Sequence, residues 1–276
     1  MKINPIICIL ASTVFFGEVT LADTQVTSDE KRYENCLNVA DHAPDRAINL
    51  ALVWKNEGGG IPARHCEAVG LSRLGEHAEA AIRLEMIATD MRVGKDMPIQ
   101  DGKRLVGTSP MLADMYSQAA NAWLLATKVG RAEDAIQAGL SLTVKGGKQE
   151  WDLLLDRARI AAADRDYTAA LTDLETIYQR DTRRTDILVL LASSARLTDQ
   201  FQRAFEAITD YIAAHPDDPA GYLELGNLSD ATGRIAEARR NWLKVVHLAP
   251  ESKIAEDARS NIERSDVQTD VQADVK

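Results

Sequence analysis

Along residues 151–250, large apolar, small and polar positions return in step. Ala170, Ala204 and Ala238 are spaced by 34 residues, as are Leu154, Leu188 and Tyr222, then Ala158, Ala192 and Gly226, then Leu174, Ile208 and Trp242. Within each unit the apolar positions fall at i, i+3, i+4 and i+7, the spacing of one helical face. In the last unit, Tyr222, Leu225 and Gly226 share a face after Pro219, which suits a first helical turn because its missing N–H would be unpaired there anyway. Gly233 breaks that helix, Ile235, Ala238, Trp242 and Val245 line a second one, and Pro250 ends it. Gly226 and Ala238 then mark the place where two antiparallel helices cross closely, and Trp242 and Tyr222 fill the wider space beside it. A period of this length with large and small residues at fixed phases predicts a stacked helix-turn-helix array. The predicted fold is all-α, a right-handed superhelical solenoid of antiparallel helix pairs.

The residues Tyr222-x2-Leu225-Gly226, Ala238, Trp242 and Pro250 resemble the tetratricopeptide repeat, with Ser229 departing from the usual aromatic. The preceding unit matches with Leu188, Leu191-Ala192, Ala195, Ala204, Ile208 and Pro216. The one before keeps the phase with Leu154, Ala158, Ala161, Tyr167, Ala170 and Leu174, but has Arg157 where an apolar residue is usual and Thr182 for the closing Pro. The resemblance implies a protein-binding solenoid rather than an enzyme. Upstream the pattern loosens. Ala119, Ala122-Trp123, Ala126, Gly130 and Ala135 fit a unit one residue longer, with Gly146-Gly147 in the loop that absorbs the difference. Gly75, Ala80, Leu84 and Ile87 fit another, and Tyr33 to Trp54, with Ala47 at the small position, fits a degenerate first one closed by Gly58-Gly59-Gly60.

These readings divide the chain. Residues 1–22 read as a secretory signal: Lys2, the apolar run Ile6 to Phe16, and small residues at Thr20 and Ala22 before Asp23. Residues 23–92 hold degenerate helix pairs. Residues 93–110, with Gly94, Pro98, Gly102 and Gly107 and no helical period, read as a loop interrupting the stack. Residues 111–250 carry the clearer repeats. Residues 251–264, with Ile254, Ala255, Ala258 and Ile262 on one face, read as a capping helix. Residues 265–276 read as a disordered tail, since Asp266, Asp270 and Asp274 lack the turn glycine and bidentate Glu of a calcium loop.

The export reading gives the cysteines a meaning. Cys8 leaves with the signal, and Cys36 and Cys66 remain at similar phases of adjacent first helices, where an oxidising compartment such as the periplasm favours a disulfide. The net charge of −10 opposes a nucleic-acid partner, and after signal cleavage no stable membrane insertion is expected. Catalytic signatures are missing from the sequence. Gly70-x-Ser72-x-x-Gly75 is only near a nucleophile motif and is explained by a helix end and its turn, while the five histidines have no ligand spacing. Asp152 and Asp156, with Arg157 and Arg159 beside them, read as a charged helix face with local ion pairs. No catalytic, metal or cofactor site is expected.

What remains is the concave face, lined by first helices. The inward phases are Asp152, Leu155 and Arg159, then Asp186, Val189, Ser193 and Arg196, then Leu223, Asn227 and Asp230. Of these, Leu155, Arg159, Asp186, Val189, Ser193, Arg196, Leu223 and Asn227 are the expected partner-binding set, suited to a peptide or protein segment. The subset of the resembled family that clamps chaperone tails uses Lys and Asn where Leu155 and Arg159 stand, so that activity is not implied. Two other readings stay open: a small-molecule or peptide ligand site with the 93–110 loop as its lid, and a structural subunit of an envelope assembly.

Overall fold

The computed structural model describes residues 21–274, with side chains from 28 to 266. Thirteen helices are described. They form antiparallel pairs: α1 (Leu21–His42) with α2 (Pro44–Asn56), α3 (Gly60–Leu74) with α4 (His77–Arg92), α5 (Ser109–Leu125) with α6 (Val129–Leu140), and α7 (Lys148–Ala163) with α8 (Tyr167–Arg180). The stack continues with α9 (Leu188–Leu197) and α10 (Phe201–Ala214), then α11 (Pro219–Ala231) and α12 (Ile235–Leu248), and closes with α13 (Lys253–Asp274). This is an all-α helical-repeat solenoid. The expected signal at 1–22 lies outside the described residues except for Leu21 and Ala22, which open α1.

The periodic positions do the packing they were expected to do. Ala170, Ala204 and Ala238 are fully buried at the crossings, and Leu174, Ile208 and Trp242 are buried beside them. Gly226 shows why the small phase matters: a Cβ there would lie 2.5 Å from the Trp242 ring. Pro219 sits in the first turn of α11, whose cap, Asp218, accepts from the Ala220 N–H at 2.8 Å. Leu153 and Ile160 of α7 join the core shared with α5 and α6, while Leu154, Leu155 and Ala158 join the core shared with α8 to α10. One helix thereby carries the apolar interior from one pair to the next.

Four successive pairs of odd-numbered helices pack against one another, α1 on α3, α5 on α7, α9 on α11 and α11 on α13, while no two even-numbered helices make comparable contact. Elements of a curved stack are closest on its inner side, so the first helix of each pair lines the concave face. Cys36 of α1 and Cys66 of α3 are disulfide-bonded, with Cα atoms 6.1 Å apart.

Two segments differ from expectation. Residues 93–110 are not a plain loop. Ile99–Gln100 (β1) and Lys103–Arg104 (β2) pair antiparallel, with Ile99 opposite Arg104 and Gln100 opposite Lys103. Asp101 and Gly102 both have positive φ, 50° and 72°, the geometry of a two-residue type I′ hairpin turn. Helix α5 also takes in the last two residues expected to be loop, starting at Ser109. The expected tail at 265–276 is helical as far as Asp274, because no Gly or Pro follows Pro250 to stop α13. No described helix is long and apolar enough to cross a membrane.

Candidate functional site

Polar groups on the concave face tie α1 to α3, α3 to α5, α5 to α7, α9 to α11 and α11 to α13. Near the N-terminal end, Tyr33 Oη of α1 lies 2.7 Å from His65 Nδ1 of α3, and His65 Nε2 lies 2.8 Å from Gln118 Oε1 of α5. A neutral imidazole satisfies both contacts, accepting from the tyrosine and donating to the amide oxygen. Burial holds His65 below its ordinary pKa, partly offset by the Gln118 hydrogen bond. Next along, Ser117 of α5 donates to Asp156 of α7 at 2.7 Å, and Arg159 donates to the same carboxylate at 3.1 Å.

Towards the other end, Arg196 of α9 grips Glu224 of α11 with two hydrogen bonds, 2.7 and 3.2 Å. Glu224 is 5% exposed; its burial raises its pKa, and the arginine opposes that shift. Asn227 Oδ1 accepts from Trp242 Nε1 at 3.1 Å and from Asn261 Nδ2 of α13 at 3.0 Å. Arg264 donates to Asn261 Oδ1 at 2.7 Å. Arg196, Asn227, Asp230, Ala231, Asn261 and Arg264 line an open, shallow pocket of ≈ 280 Å³ on this face.

The eight residues expected to bind a partner are therefore only partly brought together. Arg196 and Asn227 meet at the pocket. Arg159 is half-exposed but lies on α7, held by Asp156. Asp186 is exposed, and Arg184 beside it grips its carboxylate at 2.8 Å and holds the pKa below the usual range. Val189 and Leu223 are half-buried against the core, and Ser193 spends its hydroxyl on the Leu190 carbonyl. Leu155 is 6% exposed inside the core of α7 to α10, so it is packing rather than surface. Its phase sits close enough to the α7–α8 crossing that the turn of the helix carries it inward.

Several site residues escaped sequence reasoning. Asn261 and Arg264 belong to the helix read as a mere cap. Asp156 and Glu224 occupy the same phase of the repeat as Leu190, and a carboxylate at an apolar phase was the signal that could have found them. Asp152 and Asp156 do not form an acid–base pair: Asp152 is bonded to Lys148 at 3.2 Å and Arg184 at 3.4 Å, and Asp156 to Ser117 and Arg159.

On the outer side, Arg157 has found a partner for its unusual position. Its Nε and Nη2 each donate to Asp173 of α8 at 2.7 Å. In the next repeat the same two phases hold Leu191 and Ala207. The pair floors a crevice of ≈ 260 Å³ between α6 and α8, rimmed by Glu133 and Asp164. Among the described residues, no group of three or more His, Cys, Asp or Glu side chains is placed to hold a metal ion.

The sequence matches no family model and no curated protein. Solved structures share the fold. The PilF protein of Pseudomonas aeruginosa superposes with a TM-score of 0.62 at 9% identity, covering 86% of this chain and 99% of that one. A putative kinesin light chain of Podosopora anserina with nearly identical TPR-like repeats gives 0.56 at 17% identity, over 68% of this chain and 93% of that one. YrrB, described as a TPR protein with an unusual peptide-binding site, gives 0.51 at 15% identity, over 80% and 99%. The chain thus has the tetratricopeptide-repeat fold that its 34-residue pattern led us to expect.

Proposed function

We propose that this protein is a non-catalytic scaffold that takes a peptide or protein segment on its concave face, in the periplasm. The observation that carries the reading is the open pocket between α9, α11 and α13, where guanidinium and amide groups from three helices converge beside the Asp230 carboxylate. Such groups suit the carbonyls and carboxylates of a bound chain. A fold neighbour is itself described as having a peptide-binding site. Export is supported by the apolar N-terminal run and by the disulfide, which persists in oxidising compartments. The reading of 93–110 as a lid loses support, because the hairpin is rooted at the ends of α3, α4 and α5 and contributes nothing to the lining of this pocket.

The test is affinity capture from periplasmic extract with wild type and Arg264→Glu. Arg264 is exposed and reverses the pocket's charge without touching the core, whereas Arg196→Glu would set a second carboxylate against buried Glu224. A partner retained by wild type and at least about tenfold weaker on Arg264→Glu, a change of about 1.4 kcal/mol, supports the proposal. No specific partner, or one held equally by both, overturns it.

A further inference from the structure

The groove between α6 and α8 differs from those that follow it along the outer side. Second helices of neighbouring pairs make little contact, so each leaves a groove floored by the first helix between them. Here the groove deepens into the crevice of ≈ 260 Å³. Its walls are aliphatic, from Val129 of α6, Ile160 and Ala161 of α7, and Ala169 of α8. Its mouth is acidic, with exposed Glu133 on α6, Asp164 at the end of α7 and Asp166 at the start of α8. Arg157 is the one cation among the described residues that line it, and Asp173 already holds two of its nitrogens. That pair adds no net charge, so the lining keeps the negative charge of Glu133, Asp164 and Asp166. Lys128 and Arg165, adjacent in the chain, are exposed and do not line the crevice.

The repeat register shows that stacking does not require this lining. Allowing for the one longer unit upstream, Glu133, Asp164 and Asp166 correspond to Thr168, Thr198 and Gln200 in the next groove. In the groove after that they correspond to Gln202, Thr232 and Arg234. None of those positions is acidic. Ala169 corresponds to Arg203, which reaches from α10 to pair with Glu175 and stack on the Tyr178 ring of α8 at 5.2 Å. A long side chain therefore spans the next groove, where an alanine leaves this one open. Like charges gathered at a hydrocarbon-walled crevice repel one another unless a cation lies among them.

An occupant must present hydrocarbon to the walls and more than one positive charge to the mouth. A lysine side chain brings a single ammonium, and a metal ion brings no hydrocarbon. A linear polyamine brings both, because short methylene runs separate its ammonium groups. We propose that the crevice between α6 and α8 binds a linear aliphatic polyamine. Its methylenes lie against Val129, Ile160, Ala161 and Ala169, and its ammonium groups meet Glu133, Asp164 and Asp166. The site is separate from the concave pocket, since no residue lines both.

The test is calorimetric titration of the full chain with spermidine at low ionic strength. Wild type is expected to show saturable binding at a single site, and to bind Nα-acetyl-lysine amide far more weakly. Equimolar magnesium ion is expected to leave the spermidine in place. Glu133→Gln is expected to weaken binding roughly threefold, the worth of one exposed ion pair. Ala169→Leu fills the crevice without changing its charge and is expected to weaken binding roughly tenfold, as methylene contacts are lost. Both positions are exposed, and unchanged melting temperatures will confirm intact folding. Asp134→Asn removes the neighbouring exposed carboxylate of α6, which does not line the crevice, and is expected to bind as wild type does. Absence of saturable binding, displacement by magnesium, or normal binding by Ala169→Leu overturns the proposal. So does an Asp134→Asn loss equal to that of Glu133→Gln, which would make the attraction a property of overall charge. Lysine amide bound as tightly as spermidine also overturns it, and would make the crevice a socket for a partner protein's lysine.

Discussion

The first two helix pairs and the pairs from α7 to α12 follow one plan but are held together by different means. Between α1, α2 and α3 the buried cluster is Cys36, Ala40, Ala47, Ala51 and Cys66, with larger apolar side chains only partly buried around it and Trp54 buried at the end of α2. Between α7 and α11 it includes Leu154, Leu174, Ile177, Leu188, Leu191 and Ile208. Apolar burial scales with the area removed from water, so the small-residue region gains less from it. It compensates with a disulfide, with the Tyr33–His65–Gln118 contacts, and with buried Glu67 held between Lys55 and Arg83 at 2.8 and 3.6 Å. The looser sequence pattern upstream therefore reflects a change in what supplies the stability, with the same helix-pair architecture kept throughout.

The comparison is broken most severely by removing the staple. The bridge joins positions 30 residues apart, and Cys36→Ala/Cys66→Ala is expected to cost about 3–4 kcal/mol. Hydrogen exchange should show α1 to α3 losing protection while α9 to α12 keep theirs. Equal loss in both regions would mean that the array unfolds as one unit and that the distinction is only chemical.

The next effect lies at the junction of the two styles. Arg157→Leu leaves Asp173 buried without its cation and is expected to cost about 2–3 kcal/mol, less than for a wholly buried pair because the guanidinium is 37% exposed. Arg157→Leu with Asp173→Ala recreates the Leu191 and Ala207 of the following repeat and is expected to recover most of that loss. Chemical denaturation of both variants measures it. A double variant as unstable as the single one would show that the ion pair, and not the repeat's apolar pattern, holds α7 to α8.

Gly226→Ala tests the regular region alone. The added methyl meets the Trp242 ring, and about 1–2 kcal/mol of destabilisation is expected. An unchanged melting temperature would show that the crossing has slack.

The smallest effect is a pH dependence confined to the N-terminal region. Because burial holds His65 below 6.5, the unfolded chain takes up a proton that the folded chain resists as pH falls beneath that value. Stability contributed by this site is therefore present above pH 6.5 and is lost on acidification. His65→Gln should reduce the drop in melting temperature between neutral pH and mildly acidic pH. The same drop in both proteins would remove His65 as its source.

Much of this was written in the chain. The 34-residue interval, the small residues at Ala204 and Gly226, and the cysteines at matching phases report contacts within a repeat or between like positions of neighbours, and local periodicity records such contacts directly. The hairpin had a signal too, Asp101-Gly102, but strands of two residues are too short to show alternation, so the segment read as loop. The site was less legible. Arg196 and Asn227 were found because they lie on the inward phase of first helices. Glu224, Asn261 and Arg264 were missed because their roles depend on a partner 28, 34 or more residues away, or on the last helix lying across the groove.

The sequence by itself determined the helix pairs, their crossings and the disulfide, because each follows from side-chain size and spacing repeated at fixed intervals. Only the tertiary structure decided which polar groups face one another. Stacking brought His65 between Tyr33 and Gln118, gave Arg157 its buried carboxylate, and turned α13 from a lid on the core into a wall of the concave pocket. Polar pairing needs two particular atoms within about 3 Å, and a helical period specifies a face but not the neighbour that will meet it.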